Sequence, residues 1–260
     1  MFENKVKQLL AAGKPAWGGA VIDPSLLVAK LTVGTGIDFL WIDTEHVPFG
    51  TESVAMIPVI CRMAGCVPVM RVAGLDSNLI KKALDIGASG IMVPQINNAE
   101  EARKVVQYAK YPPQGSRGVS PTWTLYMDIP WGDYLPRANA ETLVIVQVES
   151  LEGIRNAEAI AEVEDVDVVF AGPADIAASL NCIGNTDHPS VRKVVEELPQ
   201  RVGKAGKPSG ISVGGAADSK KAFDQGYRFI NIGHILSQGT IGLTSSLKEL
   251  RQYAENVLST

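Results

Sequence analysis

The sequence predicts an α/β fold of the (β/α)8 type, a TIM barrel, with the whole chain, residues 1–260, forming one domain. Eight short runs rich in Val and Ile, nearly continuous in hydrophobicity, alternate with segments of helical period. Strands buried on both faces of a parallel sheet have that appearance. The length of 260 residues is also close to the ~250 that a single barrel of this type needs.

The eight predicted strands follow one another along the chain. Their ranges are 16–22, 39–45, 67–72, 90–95, 142–149, 166–172, 208–213 and 229–234. The helical patterns between them carry their own boundary signals. Asp76 or Ser77 begins one helix, which Gly87 ends. Asn98 and Glu101 form a capping-box pattern at the start of the next. An open, doubly wound sheet is the alternative, but no Gly-x-Gly-x-x-Gly follows the first run.

One interval is longer than a strand–helix unit requires. The segment 111–140, between the fourth and fifth predicted strands, has prolines and glycines before Trp123 that argue against one long helix. Long loops in compact domains are commonly functional, and the aromatic residues of this one favour an ordered structure. We therefore expect the segment at the catalytic face, where it would determine substrate identity.

Composition excludes several classes of protein. Lys and Arg number 24 against 28 Asp and Glu, and no basic run occurs, so nucleic acid and membranes are not expected partners. The three cysteines lack metal-ligand spacing and suit a reducing cytoplasm. The first residues lack the apolar core of a secretory signal, and no stretch of about 18 apolar residues occurs. A cytoplasmic location is the expectation.

Polar residues cluster at the predicted strand ends, where barrel enzymes carry their chemistry. Charged side chains within such apolar strands cost several kcal/mol unless they are paired or bind a metal. The residues concerned are Asp43, Glu45, His46, Arg71, Gln147, Glu149 and Asp175.

Glu149 and Asp175 stand at neighbouring strand ends. Two carboxylates with water molecules suit a hard divalent cation such as Mg²⁺ or Mn²⁺. The structural alternative is a helix N-cap for Asp175 and an ion pair for Glu149. No predicted strand has a lysine in its carboxyl-terminal half, which disfavours a Schiff-base mechanism and favours a metal.

Arg71 and His46 are the other candidates at this edge. A buried guanidinium needs a carboxylate, either that of a substrate or that of Glu45 or Glu149. His46 is a general base or a structural histidine, and Asp43 or Asp85 would fix its tautomer.

Two glycine turns favour anions. The turn Gly172-Pro173-Ala174 opens a helix whose free amides suit a substrate carboxylate. Gly214-Gly215 is read as an ordinary tight turn, with a phosphate site as the alternative.

Six motifs in register along nearly the whole chain resemble the HpcH/HpaI aldolase family, whose members include metal-dependent 4-hydroxy-2-oxoheptanedioate aldolases. The motifs are FLWIDTEHVPFG (39–50), VPVMRV (67–72), ALDIGASGIMVPQINNAEEA (83–102), YPPQGSRGV (111–119), VIVQVES (144–150) and VFAGPADIAASL (169–180). The last two are the most specific.

The resemblance implies a role for each matching residue. Glu149 and Asp175 would bind the metal, Mg²⁺ or Mn²⁺ with Co²⁺ or Zn²⁺ as alternatives, and Gln147 would lie beside it. Arg71 would stabilise a pyruvate enolate, and His46 would act with Asp85 through water in acid–base work. The turn Gly172, Pro173, Ala174 and Asp175 would bind substrate, with the amides of Ala174 and Asp175 holding its carboxylate.

The implied function is a class II aldolase that reversibly cleaves a 4-hydroxy-2-oxo acid to pyruvate and an aldehyde. The alternatives are an oxo-acid decarboxylase or another enzyme that forms carbon–carbon bonds through the pyruvate enolate, a barrel that binds an oxo acid without turnover, and a phosphate-binding enzyme. The family also implies a homo-oligomer, a trimer or hexamer, with the C-terminal helix packed against or swapped into a neighbour. Segments 120–126 and 212–215 depart from the family pattern, which leaves the aldehyde undetermined.

Overall fold

The computed structural model describes residues 3–258 and forms a closed barrel of eight parallel strands in sequential order, which confirms the predicted fold. The strands are β1 Ala16–Val21, β2 Phe39–Asp43, β3 Val67–Arg71, β4 Gly90–Val93, β5 Leu143–Val148, β6 Val168–Ala171, β7 Ser209–Ser212 and β8 Phe229–His234. Strand β8 pairs with β1 and closes the ring. Most strands end one or two residues earlier than predicted.

Helices surround the barrel. They are α1 Lys5–Ala11, α2 Leu26–Val33, α3 Ile57–Met63, α4 Ser77–Asp85, α5 Ala99–Ala109, α6 Trp131–Glu141, α7 Leu151–Arg155, α8 Ala157–Ala161, α9 Pro173–Ser179, α10 Pro189–Gly203, α11 Ala216–Asp224 and α12 Ile235–Leu258, with a 3-10 helix at Thr122–Met127. Asp76 caps α4, and Asn98 caps α5 by accepting from Glu101 N at 3.0 Å. Glu101 returns its bond to Asn97 N, so the capping box is shifted by one residue.

Aromatic rings fill the lower and middle barrel interior. The rings of Phe39 and Phe229 stack with centroids 3.9 Å apart, and Trp41 meets Phe170 edge to face. Glycine makes room for these rings, since a Cβ on Gly210 would lie 2.6 Å from the ring of Phe170. The interior is therefore closed below its mouth, and open space begins only where the polar strand ends stand.

The long segment after α5 lies at the opposite end of the barrel from the one we expected. Helix α5 returns the chain to the amino-terminal edge of the strands, so everything between α5 and β5 starts and finishes there. The Trp123 ring packs over the Arg62 guanidinium at 3.7 Å, and Thr122 Oγ1 donates to Asp85 O, at the end of α4. Within one chain, this segment does not line the catalytic face.

Helix α12 contacts β1 and β8 but is otherwise little covered by the rest of the described chain. None of its 24 residues is buried, although it carries large apolar side chains such as Leu243 and Tyr253, which are 65% and 68% exposed. Within residues 3–258 no helix is both long and apolar enough to cross a membrane. Cys61, Cys66 and Cys182 are free.

Candidate active site

A cavity of about 770 Å³ opens at the carboxyl-terminal mouth of the barrel. Its lining includes His46 after β2, Arg71 at the end of β3 and Gln147 on β5. The turn 172–175 after β6 and Ser212 at the end of β7 also line it. The structure therefore brings most of the predicted site residues to one cavity, as expected for parallel strands that end at the same edge.

Arg71 is the centre of a buried ion network. Its Nε and Nη2 bond to the two carboxylate oxygens of Asp43 at 2.9 and 2.7 Å, and its Nη1 lies 3.1 Å from Glu45 Oε2. Glu45 was an expected partner, whereas Glu149 is not among the Arg71 contacts. Asp43, one of two candidates to hold His46, instead holds Arg71, because Asp43 and Arg71 are register partners at the ends of β2 and β3. The guanidinium is thus fixed in orientation before any ligand binds.

Glu149 is a buried carboxylate held from two sides. Its Oε1 accepts from Gln95 N at 2.9 Å, and its Oε2 accepts from the Gln147 side-chain amide. Burial, together with the negative charge of Asp175, raises the pKa of Glu149 to about 7. Position 172 must be glycine for this arrangement, because a Cβ there would lie 2.5 Å from Glu149 Oε2.

The turn after β6 places Asp175 on the exposed side of the same corner. Gly172 is the N-cap of α9 and no side chain caps this helix, so the alternative of Asp175 as N-cap is wrong. The first turn of a helix leaves backbone amides without helical partners, and Ala174 and Asp175 occupy it.

These residues fit a divalent cation. No group of three or more His, Cys, Asp or Glu suited to a metal occurs within residues 3–258. Glu149 and Asp175 supply two carboxylates, and the Oε1 of buried Gln147 accepts no hydrogen bond from the described residues. A hard cation such as Mg²⁺ commonly takes one or two carboxylates and completes its shell with water and substrate oxygens. The glycine at 172 lets the turn after β6 approach the Glu149 and Gln147 side chains closely.

His46 and Asp85 are not brought together within one chain. The side chain of His46 is 63% exposed, and its Nε2 lies 3.6 Å from Glu45 Oε2. Asp85 ends α4 at the amino-terminal edge of the barrel and pairs with Arg117 Nη2 at 2.8 Å. Burial raises the pKa of Asp85, and Arg117 opposes that shift. A helix after a barrel strand runs back to the opposite end, which is why the expected pairing does not form in the single chain.

Trp41 belongs to the site although the sequence analysis did not select it. The Arg71 guanidinium carbon lies 4.6 Å from the centre of its ring, and the ring forms part of the cavity wall. Its indole Nε1 is buried without a hydrogen-bond partner among the described residues. The available signal was alternation: Phe39, Trp41 and Asp43 share one face of β2, so Asp43 at the mouth implies Trp41 below it.

Comparison with known proteins gives a consistent result. The family model for HpcH/HpaI aldolase/citrate lyase matches residues 24–238. The 4-hydroxy-2-oxo-heptane-1,7-dioate aldolase of Shigella flexneri is 37% identical over 89% of this chain and 87% of its own length. The 5-keto-4-deoxy-D-glucarate aldolase of Shigella boydii is 36% identical over 90% of this chain and 91% of its own.

A solved structure agrees with these relatives. The HpcH/HpaI aldolase/citrate lyase family protein of Burkholderia cenocepacia superposes with a TM-score of 0.87 at 33% identity, over 95% of this chain and 99% of that one. The family match covers most of the chain and includes every strand-end residue of the cavity up to β8. The chain therefore belongs to the HpcH/HpaI aldolase/citrate lyase family of carbon–carbon lyases.

Proposed function

We propose that this protein is a divalent-metal-dependent, class II aldolase that reversibly cleaves a 4-hydroxy-2-oxo acid to pyruvate and an aldehyde. The observation that supports it most directly is the corner of Glu149, Gln147 and Gly172. Gln147 and Gly172 line the cavity, the Gln147 side-chain oxygen accepts no hydrogen bond from the described residues, and the Gln147 amide holds the buried Glu149 carboxylate beside them. A fixed guanidinium, Arg71, lines the same cavity. This arrangement suits an anionic oxo acid and a cation together.

Glu149 and Asp175 would hold the cation, Mg²⁺ or Mn²⁺, with Co²⁺ or Zn²⁺ as alternatives. When bound, it would supply Lewis acidity at the keto oxygen of the substrate. Gln147 orients the Glu149 carboxylate through its side-chain amide. The substrate carboxylate would accept hydrogen bonds from the first-turn amides of Ala174 and Asp175.

His46 and Arg71 would transfer the proton and stabilise the developing negative charge during cleavage. His46, exposed at the mouth, would take the proton of the C4 hydroxyl through water as the C3–C4 bond breaks and the aldehyde leaves. The electron pair of that bond would pass into the enolate, whose developing charge Arg71 stabilises. Protonation at C3 then gives pyruvate. In this scheme Asp85 has no part within its own chain, since it lies at the other end of the barrel.

We also propose that the protein works as a homo-oligomer, a trimer or hexamer, in the cytoplasm. Helix α12 presents a long row of exposed apolar side chains, including Leu243, Leu247, Leu250 and Tyr253. Exposed apolar surface of that extent is typical of a protein–protein interface. A second copy of the chain, receiving or exchanging α12, would cover it. The free cysteines agree with a reducing compartment.

The deciding experiment is a retro-aldol assay on 4-hydroxy-2-oxo acids with pyruvate release measured by coupling to lactate dehydrogenase. We expect activity with Mg²⁺ or Mn²⁺, none after complete chelation, and none in Glu149→Ala. For His46→Ala we expect loss of cleavage with pyruvate binding retained. Cleavage that survives both metal removal and Glu149→Ala would overturn the proposal. Release of CO₂ from oxaloacetate without aldol cleavage would favour a decarboxylase instead.

A further inference from the structure

Ser212 and Asn231 form a polar pair inside the barrel, on the side away from Arg71. The two residues are register partners on β7 and β8, and Asn231 Nδ2 donates to Ser212 Oγ at 2.8 Å. Asn231 follows the interior residue Phe229 by two positions, so the alternation of the strand places it on the interior face.

The pair has unused hydrogen-bonding capacity. Asn231 is only 2% exposed, yet its Oδ1 accepts no hydrogen bond from the described residues. The Ser212 oxygen accepts from Asn231, so its own proton is still available to donate. A free acceptor beside a free donor complements a hydroxyl group, which donates one bond and accepts another. Exchanging the amide oxygen and nitrogen of Asn231 preserves that complementarity, because the serine oxygen then accepts and the amide donates.

The position of the pair suits a second substrate. Ser212 lines the same cavity as Arg71 and Gln147. In a closed ring of eight strands, β7 lies across the mouth from β3, which carries Arg71. Gly214, two residues beyond Ser212, also lines the cavity, and a Cβ there would meet nothing closer than 3.7 Å. Open space therefore extends from the proposed pyruvate position to Ser212, and Asn231 is hydrogen-bonded to Ser212 just outside the cavity lining.

We propose that Ser212 and Asn231 form the subsite for the aldehyde and select hydroxyaldehydes over apolar aldehydes of equal size. The inference rests on the proposed aldolase function. An aldehyde that carries a hydroxyl satisfies both free groups of the pair. An apolar aldehyde displaces water from them and leaves a buried carbonyl unpaired, which sites built for a hydroxyl penalise heavily.

The test compares glycolaldehyde with propanal, which has a methyl group in place of the hydroxyl. The kcat/KM for addition of pyruvate is measured for both with the Mn²⁺-loaded enzyme, and the ratio is the readout. We expect the ratio to fall at least about tenfold in Ser212→Ala and in Asn231→Leu. Ser209→Ala is the matched control: Ser209 is also buried on β7 and also has an unpartnered hydroxyl, but it points away from the interior. We expect the control to keep the wild-type ratio.

The outcomes separate this inference from the proposed function. An unchanged ratio in both folded variants would overturn the subsite and leave the pair as a holder of internal water. If Asn231→Leu does not fold by circular dichroism, Ser212→Ala decides alone. Exchange of the pyruvate C3 protons with deuterium, measured by NMR on the wild-type enzyme without aldehyde, tests enolate formation separately. No exchange would defeat the aldolase proposal, whereas exchange with an unchanged ratio defeats only the subsite.

Discussion

Replacing Gly172 with alanine would place a methyl group against the carboxylate that we propose as a metal ligand. The added Cβ would lie 2.5 Å from Glu149 Oε2 and 2.8 Å from Gln147 Nε2, whereas ordinary contacts begin at 3.4 Å. The other oxygen of the Glu149 carboxylate accepts from Gln95 N at 2.9 Å, so the carboxylate cannot move away from the methyl group without losing that hydrogen bond. It must shift by about 1 Å, and a displacement of that size at a reacting centre costs on the order of 10²-fold in rate.

The assay for Gly172→Ala is steady-state cleavage with a Mn²⁺ titration and urea unfolding. We expect kcat/KM to fall by about 10²-fold, weaker Mn²⁺ binding, and a free energy of unfolding lower by about 1–3 kcal/mol from overpacking. Gly132→Ala is the control, because no atom lies within 4 Å of its added Cβ in α6. It should keep its activity and gain about 0.5–1 kcal/mol of stability. Wild-type kcat/KM and Mn²⁺ affinity in Gly172→Ala would refute the reasoning.

Three further predictions concern the buried charges. Because the pKa of Glu149 is raised to about 7, Mn²⁺ affinity measured by calorimetry should fall about tenfold per pH unit below 7 and level off above it, and Glu149→Gln should remove this dependence. Without metal, the same group stabilises the fold fully below pH 4.5 and loses that contribution as pH rises through 7, and a urea series across this range checks the sign. Asp43→Asn should lower kcat about 10–10²-fold by freeing Arg71, and the free energy of unfolding by about 1–3 kcal/mol. The exposed pair Glu100–Lys104 is the control, since Glu100→Gln should change neither quantity. Wild-type kcat in Asp43→Asn would contradict a positioning role.

The eight strands were predictable because a strand covered on both faces is apolar along its whole length, a purely local property. The position of the segment after α5 could also be predicted from the sequence. Asn98 marks the start of a helix, and a helix that follows a barrel strand must end at the amino-terminal edge of the barrel. The length and aromatic content of a segment do not determine which end of the barrel it occupies, so the expectation that it lies at the mouth was wrong. The same topology separates Asp85 from His46.

Unlike the strands themselves, the pairing of Asp43 with Arg71 could not be predicted from local sequence. It depends on which residues of β2 and β3 stand opposite each other, and the register of two strands is fixed by contacts far apart in the chain. Likewise, no sequence pattern shows that a Cβ at 172 would meet Glu149, because that proximity arises only when β5 and β6 are aligned.

The ion network around Arg71 has a consequence for the order in which ligands arrive. One guanidinium stands among the carboxylates of Asp43 and Glu45, with Glu149 and Asp175 at the next corner of the mouth. Their summed field is negative, so it attracts cations from solution and repels an oxo acid. The site therefore binds the anionic substrate favourably only after a cation has offset that negative charge. Kinetically, the chain should behave as an ordered system: metal first and oxo acid second, with substrate dissociation required before a chelator can strip the site.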